Sequence, residues 1–178
     1  MSSKTRSGPK TRNGPLRLDR HDVGILKALM RDGRMTKARL AETVNLTASP
    51  CWERLKRLED ARIITGYAAR VDVKKLAPAT VVMVELALRQ HRAVDFERFE
   101  QAVRAIPEIV ECQATGGGVD YVMKVVAPDV DAYQRLMDDL LGRDLEIERY
   151  YSYIVTKSVK ETAELPLDRL LDAADRSA

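Results

Sequence analysis

The spacing of apolar residues changes near residue 79, and this change limits the possible folds more than any other feature of the chain. Before it, apolar residues recur every three or four positions in three short runs, which is the spacing of amphipathic helices. After it, runs typical of strands alternate with two further helical runs. The sequence therefore predicts a helical N-terminal module followed by a mixed α+β module.

Two helices are predicted before residue 46. The first, in LDRHDVGILKALMRDGR, is expected to begin after the N-cap Asp19 and to stop at Gly33. The second, in MTKARLAETVNL, is expected to begin after Thr36 and to end at Asn45, a residue that tolerates a left-handed turn. Each carries one apolar stripe, so both are expected to face a common core.

A third helix is predicted from about Ala48 to Ala61, with a proline at its third position. Pro50 costs little there, because the first backbone N–H groups of a helix have no partner within it. Thr47 is the predicted N-cap, and its side chain is expected to accept from the N–H of Ser49, since Pro50 has none. The proline therefore marks the start of a helix and does not break one.

The two sides of this third helix differ in chemistry. At about 100° per residue, Cys51, Leu55 and Leu58 lie on one side, which is expected to be buried. Three short helices with a basic third helix are typical of a helix-turn-helix, whose free face enters the major groove. The predicted DNA-binding residues are Lys37, Ser49, Pro50, Glu53, Arg54, Lys56 and Arg57. The side chains of the two arginines are suited to bind guanine edges or phosphates. Trp52 has two possible roles, packing on the flank of the helix or contacting DNA.

The charge distribution favours a polyanionic partner for the N-terminal module. Residues 1–79 hold 18 Lys+Arg against 8 Asp+Glu, whereas residues 80–178 hold 12 against 19. The first balance is +10 and the second −7, although the net charge of the chain is only +3. Two alternatives stay open here: surface charge segregated by chance, and a basic helical face that is only solvated.

The patterns after residue 79 follow the order β-α-β-β-α-β. Strand patterns occur in TVVMVELALR, IVECQAT, DYVMKVVA and IERYYSYIVTKSVK, and helical patterns in DFERFEQAVRAI and DVDAYQRLMDDLLG. This order predicts a ferredoxin-like α+β sandwich, with both helices on one face of an antiparallel sheet. The uncovered face, rich in Val, Ile and Tyr, is expected to meet a second subunit.

Four segments are expected along the chain. They are a flexible basic tail at 1–17, a DNA-binding module at 18–79, a ferredoxin-like domain at 80–160, and a tail at 161–178 with a weak amphipathic helix. The alternation in IITGYAARVDV predicts a small β wing or linker strand at the end of the DNA-binding module.

Several classes of protein find no support in the sequence. No apolar run approaches the roughly 20 residues of a membrane-spanning helix, and no signal peptide is evident, so a cytoplasmic protein is expected. Cys51 and Cys112 are accordingly expected to be reduced thiols. His21 and His91 stand in unrelated settings, without a nucleophile-base pattern or metal-ligand spacing, and no P-loop lysine follows the glycines. An enzyme or a metal site is therefore disfavoured.

Four stretches together resemble the Lrp/AsnC family of bacterial and archaeal transcription regulators: LDRHDVGILKALMRDGR, LTASPCWERLKRLEDARIITGYAA, VECQATGGGVDYVMKVVA and YIVTKSVK. The resemblance covers roughly residues 18–160, and the order and spacing of the stretches make it specific. It implies a winged helix-turn-helix with its core at about 37–56. It also implies a ferredoxin-like (RAM-type) domain that dimerises, assembles into tetramers or octamers, and binds an amino-acid-like effector without any other cofactor.

The resemblance also places the effector near a Gly-x-x-Asp-Tyr loop. In this chain the effector-binding residues it implies are Gly116, Gly117, Gly118, Asp120 and Tyr121. Glycine backbones allow a ligand carboxylate to approach closely, and Asp120 suits an ammonium group. The alternative is that the three glycines only form a hairpin turn.

The leading hypothesis is a sequence-specific DNA-binding regulator, located in the cytoplasm on the nucleoid. It would control amino-acid or related-solute metabolism in response to an amino-acid-like effector. The alternative is an effector-independent, nucleoid-type architectural protein that binds double-stranded DNA with weak sequence preference. A ferredoxin-like enzyme is the third and least supported hypothesis.

Overall fold

The computed structural model describes residues 17–176, which form two compact units. Unit 1 comprises the described residues up to 69 together with 162–176, and unit 2 comprises Arg70–Glu161. The predicted tail at 1–17 lies outside the described residues except for Arg17. The predicted domain boundary between residues 79 and 80 stays a prediction.

Unit 1 begins with the three predicted helices, which the structure confirms: α1 (Arg20–Arg31), α2 (Lys37–Thr43) and α3 (Ala48–Asp60). Their apolar stripes meet in one core. Its buried members are Ile25, Leu26, Ala28, Leu40, Ala41, Val44, Cys51, Leu55 and Leu58. The predicted inward side of α3 is thus the buried one.

Two of the predicted helix caps form as expected. Asp19 accepts from the N–H groups of His21 and Asp22, and the Asp22 carboxylate accepts from the N–H of Asp19, which completes a capping box. Thr36 accepts from the N–H of Arg39 at the start of α2. After α2, Asn45 adopts the expected left-handed conformation with a φ of 54°.

The expected hydrogen bond at the start of α3 is absent. Thr47 occupies the N-cap position with an extended backbone, and its carbonyl accepts from the N–H of Cys51 at 3.2 Å. Its side chain, however, makes no capping hydrogen bond. The proline at the third helical position removes one of the two N–H groups that an N-cap side chain normally reaches, and the remaining group at Ser49 is not engaged.

The predicted wing or linker strand is also wrong for the described chain. After α3, the N–H groups of Ile63 and Ile64 both donate to the carbonyl of Leu58, and the backbone then runs without regular structure to a 3₁₀ turn at Val73–Lys75. A strand needs a hydrogen-bonded neighbour, and the described part of unit 1 contains no strand to provide one.

Unit 2 has the predicted order of strands and helices. The elements are β1 (Thr80–Leu88), α4 (Ala93–Arg104), β2 (Ile109–Ala114), β3 (Tyr121–Ala127), α5 (Val130–Gly142) and β4 (Ile147–Ile154). The strands form an antiparallel sheet in the order β2-β3-β1-β4. This arrangement confirms the ferredoxin-like α+β prediction.

The sheet of unit 2 is covered on one face only. Alternate residues of β1, such as Val82, Val84 and Leu86, are buried with Phe99 of α4 and Met137 of α5. The intervening residues belong to the opposite face, which is less covered and includes the exposed side chains of Tyr151 and Tyr153. This is the face for which a second subunit is expected.

The C-terminal segment belongs to unit 1 and contains a short helix, α6 (Leu167–Asp175), as predicted. Leu167 packs against the core of the three helices. Two ion pairs join the segment to α1, one between Lys27 Nζ and Asp168 Oδ2 at 2.5 Å and one between Arg31 Nε and Glu164 Oε2 at 3.1 Å. The acidic tail therefore covers part of the basic outer side of α1.

Candidate DNA interface and effector loop

The turn between α2 and α3 is short and fixed by backbone hydrogen bonds. Four residues separate the two helices, and among them the left-handed Asn45 reverses the chain. The N–H of Leu46 then donates to the carbonyl of Ala41 at 2.9 Å. Two short helices joined by such a turn have the geometry of a helix-turn-helix, in which α3 is the recognition helix.

The polar side of α3 is open to solvent. Ser49, Glu53 and Lys56 are exposed, and Pro50 is half-buried. Because these side chains lie opposite the buried Cys51, Leu55 and Leu58, the helix can present them without disturbing its own core. The structure thus brings this part of the predicted DNA-binding set together on one surface.

The two arginines of α3 are placed differently from the rest of the predicted set. Arg54 Nη1 donates to Asp19 Oδ2 at 2.6 Å and to Asp22 Oδ1 at 2.9 Å. Arg57 Nη2 donates to Asp22 Oδ2 at 2.5 Å. Both guanidinium groups therefore tie the recognition helix to the first turn of α1, and neither is a free cation as the sequence alone suggested.

The acidic end of this network is strongly ionised. The N–H of Asp22, and beside it the Arg54 guanidinium, lower the pKa of Asp19 to about 2. The same carboxylates, Asp19 first and then Asp22, raise the pKa of Arg54. The ion pair between Arg54 and Asp19 is therefore charged at any physiological pH.

Trp52 and Lys37 form a second contact between the two helices of the motif. The Nζ of Lys37, the first residue of α2, lies 3.2 Å from the centre of the Trp52 ring, within the range of a cation–π interaction. Trp52 remains partly exposed on α3. The tryptophan therefore holds a predicted DNA-binding lysine at the edge of the recognition surface.

The glycine loop of unit 2 joins β2 to β3 and is open. Gly116, Gly117 and Gly118 are exposed, and a Cβ added at any of them would meet no atom of the described chain within 4 Å. The loop is closed at its base, where the N–H of Thr115 donates to the carbonyl of Asp120 at 2.8 Å. Arg149 Nη2 of β4 donates to the Gly118 carbonyl at 3.0 Å.

Asp120 anchors this loop to the end of β1. Its Oδ2 accepts from the N–H of Leu88 at 2.7 Å, and its own N–H donates to the carbonyl of Leu86 at 2.9 Å. The other carboxylate oxygen, Oδ1, lies 3.2 Å from Nε2 of His91. One oxygen of Asp120 is thus held by the backbone, and the other faces a titratable side chain at the surface.

Tyr121 is a core residue in the described chain. Its ring is buried and lies 4.5 Å from that of Phe99 between centroids. Its hydroxyl donates to Glu100 Oε1 at 3.2 Å. Burial, followed by the nearby Glu100 carboxylate, raises the pKa of Tyr121 to about 12, so the hydroxyl stays protonated. Of the five predicted effector residues, the three glycines are exposed to solvent and Asp120 is half-buried, whereas Tyr121 packs in the core next to the loop.

The partners that orient these groups have only weak signals in the sequence. In the sequence Asp22 is only an acidic residue near the start of a predicted helix, and no pattern connects His91 or Arg149 with the glycine loop. The only available signal for Asp22 was its place three residues after the N-cap Asp19, which predicts a capping box but not the two arginines.

The described part of the chain has neither a metal cluster nor a membrane-spanning helix. Residues 17–176 contain no group of three or more His, Cys, Asp or Glu placed to hold a metal ion. Over the same residues, each helix is too short or too polar to span a lipid bilayer. Cys51 and Cys112 are free thiols.

Family models match both units. Residues 18–65 match a winged helix-turn-helix DNA-binding domain, and residues 81–165 match the Lrp/AsnC ligand binding domain. The first match contains α1 to α3, and the second contains the glycine loop and all of the sheet except Thr80. Both descriptions agree with the predicted roles of the two halves of the chain.

Three individual transcription regulators are similar to this chain over most of its length. The transcriptional regulatory protein DoeX of Halomonas elongata is 51% identical over 156 residues, which are 87% of this chain and 99% of that protein. The leucine-responsive regulatory protein of Escherichia coli K12 is 36% identical over 148 residues, covering 83% of this chain and 90% of the other. A transcriptional regulator of Neisseria meningitidis, solved as a complex with L-Met, superposes with a TM-score of 0.81 at 34% identity, covering 86% of this chain and 99% of the other. The chain therefore belongs to the Lrp/AsnC family and is a DNA-binding transcription regulator rather than an enzyme.

Proposed function

We propose that this regulator reads DNA with the open side of α3 and controls genes of amino-acid or related-solute metabolism in response to an amino-acid-like effector. The observation that carries the proposal is the exposed polar side of α3, which follows a tight left-handed turn in the basic half of the chain. In such a motif the recognition helix enters the major groove and its side chains contact bases and phosphates. DNA-contacting roles are proposed for Lys37, Ser49, Pro50, Glu53, Arg54, Lys56 and Arg57.

Lys56 offers a direct test of DNA contact. In the Lys56→Ala variant, affinity for any duplex is expected to fall. The slope of the logarithm of the binding constant against the logarithm of the salt concentration should become less steep by about 1 for each recognition helix bound. The physical reason is that one phosphate contact, with its released counterion, is lost. Titrations at several salt concentrations, with a random-sequence duplex, measure the slope.

Lys160→Ala is the matched control, because Lys160 is also an exposed lysine but follows the sheet of unit 2. An equal change of slope in both variants would contradict the assignment of α3 to DNA. Selection of duplexes from a random pool then separates the two DNA-binding hypotheses. Enrichment of one sequence supports a sequence-specific regulator, whereas no enrichment, with a steep salt slope, supports the architectural alternative.

The effector proposal rests on the glycine loop. The Neisseria meningitidis neighbour was solved with L-Met, and in this chain the exposed Gly116, Gly117 and Gly118 lie beside the Asp120 carboxylate. Backbone N–H groups suit the carboxylate of an amino acid and Asp120 suits its ammonium group. Tyr121 is proposed to support the loop from the core.

Gly116→Ala tests this proposal without altering the fold, because an added Cβ meets nothing within 4 Å. A binding amino acid is expected to stabilise the wild type by about 2.7 kcal/mol at roughly 100 times its Kd. The substitution should weaken this effect, since the new methyl group occupies space beside the ligand. Thermal unfolding of both proteins with each of the twenty amino acids measures it.

Gly66→Ala is the control, since Gly66 in unit 1 is equally open. If no amino acid shifts the unfolding temperature of the wild type, the effector proposal fails. If a shift is found but Gly116→Ala leaves it intact, the ligand binds elsewhere than at this loop.

We further propose that the sheet face bearing Tyr151 and Tyr153 joins two copies of the chain, and that dimers assemble into tetramers or octamers. The exposed tyrosines and the half-buried aliphatic side chains of β1 and β3 on this less covered face support the proposal. An effector that binds one assembly more tightly shifts the population toward it, and the spacing of recognition helices changes with it. A DNA-bound regulator of this kind acts in the cytoplasm, on the nucleoid.

A further inference from the structure

Asp22 is a buried carboxylate in the first turn of α1. Its side chain is only 1% exposed, yet it is shared by three donors. These are the N–H of Asp19 at 3.0 Å, Nη1 of Arg54 at 2.9 Å and Nη2 of Arg57 at 2.5 Å. A buried charge needs such partners, because an unpaired carboxylate would cost several kcal/mol.

The two arginines that share Asp22 differ in how much of the guanidinium group remains available. Arg54 is 27% exposed, and its Nη1 is divided between the carboxylates of Asp19 and Asp22. Arg57 is 44% exposed and makes only the one bond from Nη2 within the described chain. Since a guanidinium group has five N–H donors, Arg57 keeps most of its donors for another partner.

We infer that Asp22 is a positioning residue for DNA recognition: it holds Arg57 so that the free edge of its guanidinium group reads one base pair. Arg54 joins α3 to α1, and its proposed DNA contact is with a phosphate and not with a base. The inference rests on the proposed use of α3 as the recognition helix. Guanine O6 and N7 accept two parallel N–H groups of an arginine, and this pairing depends on a fixed orientation of the guanidinium plane. The charged hydrogen bond from Arg57 to Asp22 fixes that orientation before DNA binds, which reduces the conformational entropy lost on binding.

The inference predicts which base preferences change. Three variants are compared in the full-length protein: Asp22→Asn, Arg57→Gln and Arg54→Gln. Each is used to select duplexes from a random-sequence pool, and affinities are then measured for the duplex that the wild type selects. Asp22→Asn and Arg57→Gln should lose preference at the same base pair and nowhere else. Arg54→Gln should keep every base preference, because a phosphate contact carries no sequence information, whereas its affinity for all duplexes and its unfolding temperature should fall.

The expected magnitudes follow from the bidentate contact. Arg57→Gln should weaken binding to the selected duplex by roughly 5- to 150-fold, the range for one arginine–guanine pair. Asp22→Asn should show part of this loss and should add little to it in the Arg57→Gln background, because the two changes act through one contact. Asp60→Asn removes one negative charge at the exposed end of α3 and should leave the base preferences unchanged.

The outcomes separate this inference from the proposed function. If the wild type enriches no sequence, the proposed sequence-specific function itself fails. If it does, and Asp22→Asn lowers affinity equally for all sequences, Asp22 has only a structural role and the inference is overturned. If Asp22→Asn does not fold, the two arginine variants still decide: preference lost in Arg54→Gln and kept in Arg57→Gln would overturn it.

Discussion

Replacing Ser49 with glutamate is expected to abolish DNA binding while leaving the protein as stable as before. Ser49 is exposed at the second position of α3, where the helix enters the proposed DNA surface. A carboxylate there faces the phosphates of both strands, and like charges brought together cost several kcal/mol, so affinity should fall by roughly 100-fold or more. The same carboxylate lies at the positive end of the α3 dipole, which stabilises the helix by about 0.3–1 kcal/mol.

A loss of binding without a loss of stability makes this variant informative. Loss of affinity in a destabilised variant has many explanations, but loss in a protein of equal or higher unfolding temperature points to the surface itself. Fluorescence anisotropy with a labelled duplex and thermal unfolding of the same sample measure the two quantities. Ser158→Glu is the control, because Ser158 is an exposed serine beyond the sheet of unit 2; it should bind DNA nearly as well as the wild type.

Truncating Leu58 to alanine is expected to have the largest effect on the stability of unit 1. Leu58 is fully buried at the centre of the three-helix core. Removing a buried leucine side chain costs about 2–5 kcal/mol, and a small helical unit has little stability to lose. At about 4–8 °C per kcal/mol for a domain of this size, the unfolding temperature of unit 1 should fall by at least roughly 10 °C.

The tryptophan of α3 allows unit 1 to be followed alone. Trp52 is the only tryptophan in the chain, and it lies on the same helix as Leu58. When the Leu58→Ala variant is heated, the emission of Trp52 should report the unfolding of unit 1. Far-ultraviolet circular dichroism should still show the folded sheet of unit 2 at that temperature. Leu170→Ala provides the comparison, because Leu170 is a mostly exposed leucine of α6 in the same unit. Equal shifts for the two variants would contradict the central place of Leu58 in the core.

Much of the fold was predictable because its signals are local. The three helices of unit 1 follow from apolar residues three or four positions apart, and their starts follow from Asp19 and Thr36 a few residues away. The order of strands and helices in unit 2 follows from the alternation of two periods. Each of these signals depends on residues that remain neighbours in any conformation of the chain.

The failed predictions involve groups whose partners lie elsewhere. The alternating residues after α3 suggested a strand, but pairing requires a second strand, which the described part of unit 1 lacks. Thr47 was placed correctly as the N-cap, yet its side chain makes no capping bond: Pro50 has no N–H to donate, and the N–H of Ser49 is not engaged. A pattern can show that a residue suits a conformation without showing that the required partner is present.

The sequence by itself determined which residues of α3 face the core and which face solvent, because a helix rotates by a constant angle per residue. It did not determine which of the solvent-facing groups are free. That was decided by the packing of α1 against α3, which brings the Asp22 carboxylate to two arginines more than 30 positions later in the chain. Ion pairs of this kind depend on distance in space, and only the tertiary structure brings such distant residues together.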